Sequence, residues 1–125
     1  MEPQVFVIDD EDSVRHSLDA LLNAVGHETQ SFSTAAEFLD ALAETDPQRP
    51  RCLVLDLQLP GMNGLELLSE LITRDESMPT IVMTGQGADE FESSAMQRNA
   101  VGYFQKPFDT SELLNTISGV LAQTP

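Results

Sequence analysis

With 125 residues, 41% of them hydrophobic and 22% charged, the chain has the size of one domain and enough apolar material for one core, which excludes a disordered polymer. Twenty-one acids against six bases give a net charge of −15, which excludes a surface built to hold nucleic acid or an anionic membrane. No apolar run is long enough to cross a bilayer and the first residues lack a signal-peptide pattern, so a cytoplasmic location is expected.

The first apolar run, VFVI at Val5 to Ile8, passes straight into four acids, Asp9, Asp10, Glu11 and Asp12. Val14, Leu18, Leu21, Leu22 and Val25 then recur at helical spacing and stop at Gly26, a C-cap signal. Asp12 or Ser13 is the expected N-cap of that helix. A weaker strand is expected at Glu28 to Phe32. Ala35, Phe38, Leu39 and Leu42 form a second helical face, with Thr34 and Glu37 at capping-box spacing.

CLVL, Cys52 to Leu55, ends in Asp56 and a turn-rich loop, LQLPGMNG. Cys52 is the single cysteine; it can make no internal disulfide and is read as a small core residue in a reducing compartment. Leu65, Leu67, Leu68, Leu71 and Ile72 follow Gly64 as a third helix. TIVM, Thr80 to Met83, ends in Thr84-Gly85. Phe91, Ala95 and Met96 mark a shorter, weakly apolar helix ending near Asn99. VGYF, Val101 to Phe104, is the fifth run and leads to Lys106-Pro107. Leu113, Leu114, Ile117 and Leu121 complete a last helix, with Thr110 or Ser111 as cap.

Continuous rather than alternating apolar runs are those of parallel strands covered on both faces. Five β-α repeats therefore predict an open α/β sheet with helices on both faces, a three-layer αβα sandwich. In such sheets ligands bind at the carboxyl ends of the strands. Asp9, Asp10, Asp56, Thr84 and Lys106, the only lysine, all fall there. Crowded carboxylates repel and tend to hold protons. A hard divalent cation such as Mg²⁺ resolves the conflict and keeps positions free for a phosphate oxygen. The ammonium and the hydroxyl can hold that same group, with Asp56 as the attacking nucleophile. Taken singly, each residue has a plainer reading, as helix cap, turn or surface charge; their joint placement at four strand ends changes the weighting.

VIDDED, LVLDLQLPGMNGLELL, IVMTGQG and YFQKPFD, in this order, resemble the receiver domain of two-component response regulators over essentially residues 1–125. The resemblance implies a five-stranded parallel sheet of flavodoxin-like order 2-1-3-4-5. It implies Asp56 as phosphoryl acceptor and Asp9 and Asp10 as metal ligands, joined by Asp56 and the backbone carbonyl of Gln58. The metal is Mg²⁺, with Mn²⁺ as a substitute. Thr84 and Tyr103 match the switch pair, and Lys106 the phosphate-pairing lysine. Lys106-Pro107 resembles a peptide bond that is cis in the family. Gln58 and Gln86 stand where residues modulate the lifetime of the acyl phosphate. Asn99 replaces a commoner glycine and is expected to keep the same left-handed turn.

The partners implied are a sensor histidine kinase and an output domain or downstream protein. TGQG is similar to a subfamily often fused to a DNA-binding output domain, which would follow Pro125. A phosphorylation-dependent homodimer through the fourth helix, fifth strand and fifth helix is left open. The family is a signalling switch that assists its own phosphorylation and dephosphorylation, not a conventional enzyme. The main alternative is a receiver-like scaffold that binds partners without phosphorylation. A small aspartyl-phosphate phosphatase is disfavoured, because it wants a second aspartate where Gln58 stands. An EF-hand lacks its glycine and terminal glutamate, a P-loop its glycine-rich loop, and a phosphohistidine carrier has only His16 and His27, away from the acidic edge.

Overall fold

The computed structural model describes residues 3–85 and 91–122. Strands β1 (Gln4–Ile8), β2 (Glu28–Phe32), β3 (Arg51–Asp56), β4 (Thr80–Thr84) and β5 (Ala100–Gln105) alternate with helices α1 (Asp12–Ala24), α2 (Ala35–Leu42), α3 (Gly64–Thr73), α4 (Glu92–Met96) and α5 (Thr110–Ala122). All pairings are parallel, in the order β2-β1-β3-β4-β5. The expected fold class is thus the observed one.

Successive side chains of a strand point to opposite faces, so each apolar run feeds two cores. Phe6, Ile8, Leu53, Leu55 and Val82 pack with Phe38 of α2, Leu67, Leu68 and Leu71 of α3 and Ala95 of α4. Val5, Val7, Cys52, Val54, Ile81 and Met83 pack with Leu18 and Leu22 of α1 and Leu113, Ile117 and Leu121 of α5. Continuous apolar strands follow from this two-sided burial. Edge strand β2 is only partly covered, which accounts for its weaker pattern. Phe6 and Phe38 meet edge to face, with ring centroids 5.3 Å apart.

Several local expectations are corrected. The N-cap of α1 is Glu11, and neither Asp12 nor Ser13 holds that place. Asp109 caps α5: its Oδ1 accepts from the backbone N–H of Ser111 at 2.8 Å and of Glu112 at 3.3 Å. Thr110 and Ser111 lie inside the first turn. In α4 only Ala95 is buried; Phe91 and Met96 are exposed, so the apolar spacing there did not mark a core face. Val25 and Ile72 are exposed too. Thr34 does cap α2, accepting from the Glu37 N–H at 3.1 Å. Gly26 and Asn99 take the left-handed conformation, with φ of 92° and 72°. Gln86 and the tail at Gln123 to Pro125 lie outside the described residues.

Candidate phosphoryl and metal site

Two strands, β1 and β3, deliver the acidic edge. Asp9 follows the last residue of β1 and is fixed to β2 by its N–H on the Phe32 carbonyl at 3.1 Å. Asp56 closes β3. Both are buried, at 0% and 3% exposure, whereas Asp10 faces solvent. One carboxylate oxygen from each of Asp9, Asp10 and Asp56 lies within 4.8 Å of the others.

Lys106 reaches across from the end of β5. Its Nζ donates to Asp9 Oδ2 at 2.7 Å and to Asp56 Oδ2 at 3.2 Å, and stands 3.4 Å from Glu11 Oε1. The backbone holds it there: the Lys106 N–H donates to the Thr84 carbonyl at 2.7 Å. The Lys106-Pro107 peptide is cis. Backbone donors satisfy the other carboxylate oxygen of Asp9 and of Asp56. Asp9 Oδ1 accepts from the Glu11 N–H and Asp56 Oδ1 from the Gln58 N–H, both at 2.9 Å.

Burial pushes the Asp56 carboxyl above its ordinary range, and the nearby charge of Asp9 adds to this; the Gln58 N–H and Lys106 oppose it. Burial works to lower Lys106, but the hydrogen bond to Asp9 and the charges of Asp56 and Asp9 outweigh it, so its ammonium is held more firmly than usual. Asp9, Asp10 and Asp56, with Glu11 beside them, outnumber the single Lys106 ammonium and leave an excess of negative charge that a divalent cation offsets. The side-chain donors are carboxylate oxygens, which suits Mg²⁺ or Mn²⁺, and the exposed side at Asp10 leaves room for water or phosphate oxygen. The residues present fit the ion.

Thr84 ends β4 and is fully buried. Its hydroxyl donates to the Tyr103 hydroxyl at 3.2 Å, so the two residues singled out as a switch pair are bonded to each other. Beside Lys106 an open groove runs between α1 and the β5–α5 turn, walled by Val14, Leu18, Pro107 and Phe108. His16 and His27 lie elsewhere: His16 packs back on the Asp12 carbonyl, and His27 stands 3.5 Å from the Ser118 hydroxyl.

Three contributors were missed in sequence. Arg15 donates from Nη1 to the Asp9 carbonyl at 2.6 Å and pairs with Asp12, clamping the β1–α1 loop. The i,i+3 spacing of Asp12 and Arg15 was the available signal. Glu11 shares Lys106 as a third acid. The Gln58 side chain, expected only to modulate a rate, accepts from the Gly85 N–H at 2.9 Å.

Residues 5–118 match the family model described as the response regulator receiver domain. FixJ of Azorhizobium caulinodans, a transcriptional regulatory protein, is 40% identical over 96% of this chain and 56% of its own length. NtrC of Escherichia coli, a DNA-binding transcriptional regulator, is 35% identical over 94% of this chain and 24% of its own. The chain therefore spans about half or less of these relatives. Among solved structures, the FixJ N-terminal domain superposes with a TM-score of 0.87 at 32% identity, covering 98% of this chain and 96% of that one. The response regulator StyR gives 0.89 at 35% identity, over 99% and 61%. No helix among the described residues is long and apolar enough to cross a membrane.

Proposed function

This chain belongs to the response regulator receiver family, and from that premise we propose that it is a phosphorylation-controlled switch with Asp56 as its phosphoryl acceptor. The observation that carries the reading is the position of Lys106 Nζ, bonded at once to buried Asp9 and buried Asp56 with Asp10 alongside. Such a lone ammonium between carboxylates is placed to meet the oxygens of a group arriving on Asp56.

Asp9, Asp10, Asp56 and the Gln58 carbonyl would hold Mg²⁺, with Mn²⁺ as a substitute. When bound, the ion supplies positive charge that draws electron density from a transferring phosphoryl group. A sensor histidine kinase is the donor: a carboxylate oxygen of Asp56 forms the new P–O bond as the N–P bond of a phosphohistidine breaks, its electron pair returning to the imidazole. Lys106 pairs with the phosphoryl oxygens throughout. The domain assists this transfer and the later hydrolysis and has no metabolic substrate. Gln58 and Gln86 stand where they can modulate that hydrolysis.

Thr84 then exchanges its Tyr103 partner for a phosphoryl oxygen, and Tyr103 moves into the space released. The surface of α4, β5 and α5 changes with it, as a population shift between two packings. That surface acts on an output domain or downstream protein, or joins two copies. The transcriptional roles of the FixJ and NtrC relatives favour a DNA-binding output. The domain itself, at a net charge of −15, is not the nucleic-acid contact. A single receiver unit acting in the cytoplasm completes the reading.

The test is incubation with Mg²⁺ and acetyl phosphate, followed by intact mass and hydroxylamine treatment. Wild type gains one hydroxylamine-labile phosphoryl group and Asp56→Asn gains none. Wild type that gains none supports the alternative, a scaffold that binds partners without phosphorylation.

A further inference from the structure

The β3–β4 ladder continues to a last backbone rung, the Leu57 N–H on the Met83 carbonyl at 3.0 Å. In a parallel pair the next rung would join the Gly85 N–H to the Leu57 carbonyl. That carbonyl accepts instead from the Gly64 N–H at 3.0 Å, where α3 begins. The Gly85 N–H is taken up by a side chain, Gln58 Oε1, at 2.9 Å. The same Gln58 donates its backbone N–H to Asp56 Oδ1 at 2.9 Å. One residue is thus bonded both to Asp56 and to the segment that follows Thr84. The approach needs a bare position 85, because a Cβ there would stand 2.7 Å from Gln58 Oε1.

We propose that Gln58 is a positioning residue that acts as a latch. Its side-chain carbonyl completes the rung that the backbone gives up, and so holds Thr84-Gly85 in the resting position. This rests on the reading of Asp56 and Thr84 above. Gly85 is the chain neighbour of Thr84, so a backbone shift at Thr84 that strains the Gln58–Gly85 bond is resisted by it. A group added to Asp56 also disturbs the N–H that Gln58 places on that carboxylate. The latch therefore opposes switching, and its loss favours it. One partly exposed hydrogen bond of this kind shifts an equilibrium by about fivefold.

Two measurements test it. In the first, amide hydrogen exchange is followed by NMR in wild type, Gln58→Ala and Gln58→Glu, with no phosphodonor present. Gly85 exchanges about fivefold faster in Gln58→Ala and returns toward wild type in Gln58→Glu, which keeps an acceptor oxygen at the same reach. Amides of β1 are unchanged in both. Equal Gly85 exchange in wild type and Gln58→Ala overturns the latch, whatever the role of Asp56. In the second, beryllium fluoride with Mg²⁺, a phosphoryl mimic, is titrated while the Tyr103 ring resonances are observed. The half-saturating concentration falls about fivefold in Gln58→Ala; an unchanged or higher value overturns the proposal. A wild type that does not respond at all removes the switch itself, and that failure is recognised because it occurs without any substitution.

Discussion

Gly64→Ala sets two physical effects against each other, and the structure decides between them. Gly64 opens α3, and glycine to alanine in a helix ordinarily stabilises by about 0.5–1 kcal/mol. Here the added Cβ would lie 2.6 Å from Leu57 Cα, 2.8 Å from Leu57 Cδ2 and 3.0 Å from the Asp56 carbonyl oxygen. Carbon atoms settle about 3.5–4.0 Å apart, so the contact needs a shift of about 1 Å. The closest atom belongs to backbone and cannot rotate aside. Overpacking of this kind costs about 1–3 kcal/mol. The net expectation is a loss of about 1–2 kcal/mol, which at a urea m-value of about 1–3 kcal/mol/M lowers the unfolding midpoint by about 0.5–1 M. Because Asp56 carries one of the crowded atoms, the substitution also slows acetyl phosphate labelling. A midpoint at or above that of wild type would show that the acceptor loop yields freely, and would refute the argument that Gly64 fixes it.

Lys106→Met leaves Asp9 and Asp56 without their shared cation; with the lysine side chain only 19% exposed, stability at neutral pH falls by about 2–3 kcal/mol, somewhat below the loss from breaking a fully buried pair. Thermal unfolding measures it, and an unchanged midpoint contradicts the geometry. For Asp56, the folded pKa lies above the unfolded value, so the ionised carboxylate weakens the fold. That cost is absent below the unfolded pKa, grows as pH rises toward the folded one, and is constant beyond it. Asp56→Asn is therefore more stable than metal-free wild type at pH 7, with the difference closing in acid; denaturation at a series of pH values checks the sign. Burial pushes the Cys52 thiol up to about 12, so iodoacetamide leaves it unmodified at pH 8 in the native protein and alkylates it promptly in urea. Native-state alkylation at the unfolded rate contradicts this.

The strands and the placement of the candidate site residues were legible for one reason. A parallel sheet buried on both faces demands unbroken apolar runs, and in such sheets ligands bind where those runs stop. Asp9, Asp56, Thr84 and Lys106 could be placed from order alone, because each ends or follows a strand. Caps were harder. Glu11 holds the N-cap place of α1 without a side-chain capping bond, and Asp109 caps α5, because a single residue's backbone angles decide the cap position and several neighbours had suitable side chains. The apolar residues of α4 misled, since Phe91 and Met96 point to solvent. The links from Gln58 to Gly85 and from Arg15 to the Asp9 carbonyl depend on how loops return toward one another. Residue spacing hints at Arg15 through its i,i+3 pairing with Asp12 but carries no trace of the Gln58–Gly85 link.

The claim on which the rest depends is that the acidic edge is kept crowded to receive a cation. Calorimetric titration of Mg²⁺ into wild type, Asp9→Asn and Asp56→Asn measures this directly. One ion binds wild type, and each variant binds at least about tenfold more weakly, a loss of about 1.4 kcal/mol or more. Variants that bind Mg²⁺ as tightly as wild type would contradict it.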